Sequence, residues 1–248
     1  MRQNRHRFGK HNFLCIHRLG IRFTLLILVV SQGSAIASCA WSATQAVYFT
    51  VEGVIIRVEP DGSNPKFVYE AGISSSFTRI AIANTRGSVY GTLQCFNCFS
   101  TSLIRCNLDG SHCQTIADTD LGSFYSGVAI DAPLEYVYWT VADSGGIIRR
   151  ARHDGSNIQT VLISAGDNLH GIDLDHVNGR IYWTTYEEGS ATSGKVFRAD
   201  LTGMNREQIL VDLNEPHDLA LDVGGNKIYW TEHASGRIRR ADDLLPEN

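Results

Sequence analysis

Several features are missing from this 248-residue sequence, and each absence excludes a class of function. There is no G-x-S-x-G elbow, H-E-x-x-H pair, Walker loop or dinucleotide-binding glycine motif. The corresponding hydrolases, metalloproteases and nucleotide enzymes are therefore not indicated. No N-x-S/T sequon occurs, so N-glycosylation is not expected. Charged residues make up only 19% and hydrophobic ones 43%, which disfavours a disordered chain. Acidic residues are absent from the first forty positions, which carry Arg2, Arg5, Arg7, Lys10, Arg18 and Arg22. The rest then holds 16 basic against 26 acidic residues, a net of −10. That segment lacks the basic footprint that nucleic acid requires, so no nucleic-acid partner is expected. Basic protein surfaces or metal ions suit it better.

Only one apolar run is long, Phe23 to Val30, and small residues follow it from Ser31 to Ala40. Charged start, short apolar stretch and Ala35-Ile36-Ala37 together read as a secretory signal over residues 1–40. An uncleaved anchor is the rival reading, because Phe23 to Trp41 approaches the ~20 residues that span a bilayer. Only in that case would the chain be a membrane partner. Lipid attachment at Cys39 is a further alternative. Either way the expected location is secreted or at the outer face of the plasma membrane.

What the remainder has is repetition. Five tetrads recur: Val47-Tyr48-Phe49-Thr50, Val89-Tyr90-Gly91-Thr92, Val137-Tyr138-Trp139-Thr140, Ile181-Tyr182-Trp183-Thr184 and Ile228-Tyr229-Trp230-Thr231. Their tyrosines are 42, 48, 44 and 47 residues apart. β-Branched and aromatic runs of this kind suit strands buried on both faces. Seven residues before a Tyr stands an Asp that ends an apolar run, at Asp131, Asp175 and Asp222. An Arg follows each tetrad, at Arg57, Arg105, Arg150, Arg198 and Arg240. It lies four residues before Asp61-Gly62, Asp109-Gly110 and Asp154-Gly155 in the first three units, and before Thr202-Gly203 in the fourth. Asp-Gly between strand-like runs marks a hairpin, since Gly accepts positive φ without strain. Each unit therefore predicts four short strands. One such sheet cannot bury both faces alone, and radial stacking of several can. The fold class is all-β, a β-propeller of four-stranded blades over residues 41–248. It has five blades or is an incomplete six-bladed ring. The first unit lacks an obvious strand before Tyr48 and the last lacks its fourth. The two ends are predicted to share one blade, or another chain completes the ring.

The order Leu/Ile-Asp, six residues, Ile/Val-Tyr-Trp-Thr, then an Arg-bearing strand, resembles the YWTD (class B) repeats of low-density lipoprotein receptor relatives. The resemblance spans about residues 43–244. It implies an extracellular, non-catalytic propeller that recognises a protein or peptide on one ring face, without a cofactor. Tyr138, Trp139, Tyr182, Trp183, Tyr229, Trp230, Asp131, Asp175, Asp222, Arg150, Arg198 and Arg240 are then the structural repeat residues. The Asp that ends the family's tetrad is Val51, Leu93, Val141, Thr185 and Glu232 here, so only Glu232 can imitate it. The acidic loops favour a basic ligand.

Four cysteines cluster in the second unit. Cys106 and Cys113 flank the Asp109-Gly110 turn, where a tight hairpin holds Cα atoms ~4.5–5.5 Å apart, a span a disulfide can bridge. Cys95 and Cys98 then form a small loop. Other connectivities, a zinc site and free thiols remain open. His170 and His217 share a repeat position, Asp173 stands where other units have Ala, and Glu187-Glu188 extend a loop. His170, Asp173, His217, Glu187 and Glu232 are the candidate ligand-binding residues. The alternative is a metal-dependent lactonase or esterase using His170, Asp173 and His217. A plainer alternative is a truncated receptor paralogue without its own function.

Overall fold

A computed structural model of the chain describes residues 46–72, 74–118, 124–142, 146–164, 166–187, 190 and 192–242, and 39–41 as backbone alone. The predicted leader up to residue 38, with Cys15, and Glu188 lie outside the described residues.

Among the described residues nineteen strands form five sheets arranged radially, the blades of a propeller. The first blade holds β1 (Cys39–Trp41), β2 (Val47–Val51), β3 (Val54–Val58) and β4 (Lys66–Glu70). The second holds β5 (Ser75–Ala83), β6 (Ser88–Cys95), β7 (Ser100–Asn107) and β8 (Gln114–Asp118). The third holds β9 (Phe124–Asp131), β10 (Tyr136–Ala142), β11 (Ile147–Arg152) and β12 (Gln159–Ile163). The fourth holds β13 (Leu169–Asp175), β14 (Arg180–Thr185), β15 (Gly194–Asp200) and β16 (Glu207–Leu213). The fifth holds β17 (Pro216–Asp222), β18 (Lys227–Glu232) and β19 (Arg237–Asp242), with no fourth strand among the described residues. Within each sheet consecutive strands pair antiparallel. The predicted four-strand unit is thus the blade, and the fold is all-β.

One expectation about the ends needs correction. A short inner strand does precede Tyr48: β1 pairs with β2, Ala40 opposite Tyr48. Among the described residues β1 pairs with β2, and the fifth sheet holds three strands, none of them from the start of the chain.

The tetrads explain the stacking. Successive side chains of a strand point to opposite faces, so the Tyr of a tetrad serves one neighbour and the Trp the other. Tyr48, Ile55 and Val68 of the first blade pack against Phe77, Ile80 and Val89 of the second. Tyr90 and Leu103 meet Val128 and Trp139 of the third. Tyr138, Ile148 and Leu162 meet Ile172, Trp183 and Phe197 of the fourth. Tyr182 and Val196 meet Leu219, Ile228 and Trp230 of the fifth. No apolar cluster joins the fifth blade to the first among the described residues. Phe49 and Tyr229, which would meet there, are half-buried, and Phe67 is 74% exposed.

The weak tetrad of the second blade is repaired from within. A Cβ at Gly91 would sit 2.6 Å from the Phe77 ring. Phe77, on the neighbouring strand β5 and fully buried, fills the volume that Trp fills elsewhere. Packing volume is conserved although the residue that supplies it has moved.

The inner strands β5, β9, β13 and β17 each carry an irregularity in register, at Phe77/Arg79, in the β9–β10 ladder at Trp139/Val141, at Leu169/Ile172 and at Pro216/Asp218. Such bulges leave a backbone N–H out of the ladder. The Thr of the tetrad accepts it: Gly127 N–H to Thr140 Oγ1 at 2.7 Å, Gly171 to Thr184 at 2.9 Å, Asp218 to Thr231 at 3.1 Å. Thr140 also donates to the His170 carbonyl of the next blade at 2.8 Å. Gly127 and Gly171 have no room for a side chain, since a Cβ would lie 2.4 Å from the His170 carbonyl and 2.7 Å from Asp218 Cα.

Gly171→Ala should therefore destabilise the fold by about 1–3 kcal/mol, the usual cost of overpacking against backbone. Gly72→Ala, with open space around it, should change stability by under about 1 kcal/mol. Urea titration of both variants checks the contrast, and equal effects would show that the axis is not crowded.

Candidate functional site

The bulges re-aim the residues that sit on them. Thr78, Ser126, His170 and His217 occupy that position in successive blades. The last two start the inner strands of the fourth and fifth blades and converge at one end of the ring. The His170 ring stacks on Tyr186 with centroids 4.1 Å apart, and lies 5.2 Å from His217. His233, on the β18–β19 turn, lies 5.7 Å from His217 and 3.3 Å from Glu215 Oε2 through Nδ1. Three imidazoles and a phenol thus line the mouth.

Beneath them, Arg79 runs from β5 of the second blade to β17 of the fifth. It is 3% exposed. Its Nε lies 3.0 Å from Asp218 Oδ2, its Nη2 donates to His217 Nδ1 at 2.9 Å and to the His217 carbonyl at 3.1 Å. Its Nη1 donates to the Thr78 carbonyl at 2.7 Å. Arg only donates, so His217 Nδ1 must accept and its proton resides on Nε2. Burial drives the His217 pKa down to about 2, reinforced by the positive charge of Arg79 and by His170 and His233. Burial and Arg79 bring His170 down to about 3. Burial raises the Asp218 pKa, and Arg79 opposes that rise. Both inner histidines are therefore neutral, and the buried Arg79 cation is neutralised by Asp218.

Asp173 lies beside this cluster, on β13. Its Oδ1 accepts the Leu174 N–H at 2.8 Å and its Oδ2 the Leu221 N–H of the fifth blade at 2.9 Å. Burial pushes its pKa up to about 6. Glu187 is exposed next to Tyr186, with its backbone N–H on Ser193 Oγ at 2.8 Å. Glu232 is placed differently from the expectation of a ligand-binding residue. Its buried carboxylate accepts from Ser235 Oγ at 2.8 Å, Arg239 Nε at 3.2 Å and Trp230 Nε1 at 3.4 Å. Burial alone would raise its pKa, but those three donors outweigh it and hold the group ionised. It ties its own blade together.

The repeat residues have local partners. Asp131 accepts the Leu134 N–H, Asp175 the Val177 and Asn178 N–H groups, and Asp222 the Gly225 N–H, each closing the turn after an inner strand. Trp139 and Trp183 are fully buried and Trp230 nearly so. Arg150 donates to Tyr138 Oη and lies 4.6 Å over the Tyr136 ring. Arg198 pairs with Glu207 at 2.8 Å, and the exposed Arg240 lies 3.6 Å from Asp242. The cysteines are joined as Cys95–Cys98 and Cys106–Cys113. They are therefore not thiolate ligands for zinc.

Sequence reasoning missed Arg79, Asp218, Tyr186 and His233. A usable signal existed for two of them: Arg79 and Asp218 occupy the position at which the third and fourth blades require Gly127 and Gly171.

No family model matches the sequence. It is 30% identical over 205 residues to low-density lipoprotein receptor-related protein 1 of Pyricularia oryzae, covering 74% of this chain and 65% of that one. It is 31% identical over 101 residues to nidogen of Drosophila melanogaster, covering 41% of this chain and 7% of that one. The chain thus spans less than two thirds of the length of these relatives. A solved nidogen/laminin complex superposes with a TM-score of 0.64 at 14% identity, covering 87% of this chain and 93% of that one. The chain is a YWTD-type β-propeller. A xyloglucanase of Xanthomonas campestris superposes with a TM-score of 0.62 at 12% identity, covering 83% of this chain and 36% of that one, a likeness of fold alone.

The lactonase alternative needs at least three donors around one ion. Among the described residues no group of three His, Cys, Asp and Glu side chains is so disposed. The Asp173 oxygens already serve two backbone N–H groups, and His217 Nδ1 faces Arg79. The donor set does not fit a catalytic metal.

Two measurements probe the YWTD propeller's mouth. Below pH 6.5 the unfolded chain protonates His170 and His217 while the fold keeps them neutral. Their contribution to stability is therefore lost as pH falls from 6.5 towards 3. His217→Gln should remove up to about 1.4 kcal/mol per pH unit of that acid slope. Asp173 acts oppositely, its contribution being lost as pH rises through about 6. Arg79→Met strands the Asp218 carboxylate and should cost about 3–5 kcal/mol at pH 7, read by thermal or urea unfolding. An unchanged midpoint would mean that the pair is dispensable.

Proposed function

We propose that this YWTD propeller is an extracellular, non-catalytic binding domain. It recognises a protein or peptide at the ring end lined by His170, Tyr186, His217 and His233. The observation that carries this reading is that mouth. It is a rigid aromatic and imidazole floor, neutral within, with Glu187 and Glu215 beside it. Aromatic surfaces preset by packing lose little entropy on binding, and the flanking carboxylates select a partner with basic groups. Similarity to a lipoprotein receptor-related protein and to nidogen supports it. Two disulfides suit an oxidising compartment outside the cytosol. Among the described residues no helix is long and apolar enough to cross a membrane. The half-buried Phe49 and Tyr229, on faces that meet no neighbouring blade among the described residues, support completion of the ring by further β-structure from another chain.

The test is binding to a panel of immobilised extracellular matrix proteins that includes laminin. His233→Ala and Glu187→Lys should each weaken binding about tenfold or more, equivalent to about 1.4 kcal/mol. Val177→Ser, on an exposed turn at the opposite end, should leave it unchanged. The reverse pattern would move the binding face to the other end of the ring.

A further inference from the structure

The two disulfides sit in unlike surroundings. Cys106, on β7, is buried at 1% exposure, and its bond to Cys113 spans a hairpin. Cys95 ends β6, Cys98 lies in the following turn, and they are three positions apart in the chain. Cys95 is half-buried and Cys98 exposed. The ring they close holds only Phe96 and Asn97 between the cysteines. A short ring restrains the unfolded chain least, so its reduction forfeits the least stability.

The turn also carries a feature suited to exchange. The Cys98 backbone N–H donates to Cys95 Sγ at 3.2 Å. A donor aimed at sulfur stabilises the thiolate, and a stabilised thiolate is the better leaving group. The exposed sulfur is open to attack while the shielded one is prepared to leave. Around them Phe96 is 51% and Phe99 66% exposed, and no charge occurs from Gln94 to Ser102. Two phenylalanines held in water by a covalent turn form an apolar platform without structural use in the blade.

We infer that Cys95–Cys98 is a thiol–disulfide exchange site, reversible in the folded protein, whose substrates are thiols, with dithiol proteins of apolar surface favoured. A donor thiolate attacks Cys98 Sγ. The new sulfur–sulfur bond forms as the Cys95–Cys98 bond breaks, and the electron pair leaves on Cys95, which later takes a proton from water. A second donor thiolate attacks the donor sulfur of the mixed disulfide and releases Cys98 as a thiolate. Two donor thiols are oxidised to one disulfide, and two electrons reduce the Cys95–Cys98 pair. Cys106–Cys113, with Cys106 enclosed in the interface between the first and second blades, stays outside this chemistry.

The test uses the full chain, native at neutral pH, in graded reduced and oxidised glutathione, followed by alkylation and peptide mass mapping. Cys95 and Cys98 should be labelled at least tenfold faster than Cys106 and Cys113, and oxidised glutathione should restore the bond without loss of fold. Cys95→Ser should trap one glutathione on Cys98. A second arm replaces glutathione by reduced thioredoxin. There Phe96→Ser with Phe99→Ser should slow exchange at least threefold while leaving the glutathione rate unchanged. Reduction of both disulfides together, reduction only in denaturant, or no adduct on the Cys95→Ser variant overturns the site. Equal slowing of both donors, or of neither, overturns the preference for apolar dithiol proteins.

Discussion

Crowding at the ring axis is the constraint from which the rest of this propeller follows. Four inner strands converge until a single Cβ at Gly127 or Gly171 would collide with the backbone of the next blade. Strands cannot approach so closely and keep a regular ladder, so each bulges there. The N–H groups freed by three of the bulges are recovered by Thr140, Thr184 and Thr231. The Thr of the tetrad is thus a hydrogen-bonding residue, while Tyr and Trp are the packing ones. An unsatisfied buried N–H costs about 1–3 kcal/mol, so this hydroxyl has a role at every bulge it serves. The same bulge decides the site, because the residue on it is turned towards the mouth.

Much of this was legible in the sequence because it is periodic. Tetrads every 42 to 48 residues, Asp-Gly turns and alternating faces pointed to blades, and blades are what form. Non-periodic features were not legible. Gly91 interrupts the second tetrad, yet Phe77 of the adjacent strand occupies the space. The three-residue β1, Cys39-Ala40-Trp41, is too short to show a strand period, and only its pairing with β2 reveals it. Both depend on contacts between strands, which a single-strand pattern does not encode.

At the site, repeat phase found His170 and His217, since both fall five residues before the turn-closing Asp. Phase also singled out Asp173, whose Oδ2 accepts the Leu221 N–H and links the fourth blade to the fifth. Glu232 was named with them, and also as the residue able to imitate the tetrad Asp. Its three donors belong to its own blade, so the carboxylate is consumed in structure. Arg79 escaped notice because its partners are 138 and 139 positions away.

That arginine explains why the mouth is neutral. A buried ion pair contributes little net stability, because desolvation offsets the attraction, but it penalises arrangements that separate the partners. Arg79 joins the second blade to the fifth, which share no apolar cluster among the described residues, and so fixes their relative placement. Its Nη2 holds His217 as the Nε2–H tautomer, and its charge, with burial, keeps both inner imidazoles unprotonated. A partner entering the mouth therefore meets ring faces and imidazole hydrogen-bonding groups, not a cation. Beside the mouth stand the carboxylates of Glu187 and Glu215. Shape and hydrogen bonding are thereby assigned to the floor of the site and charge selection to its rim, and this division follows from one guanidinium placed where other blades have glycine.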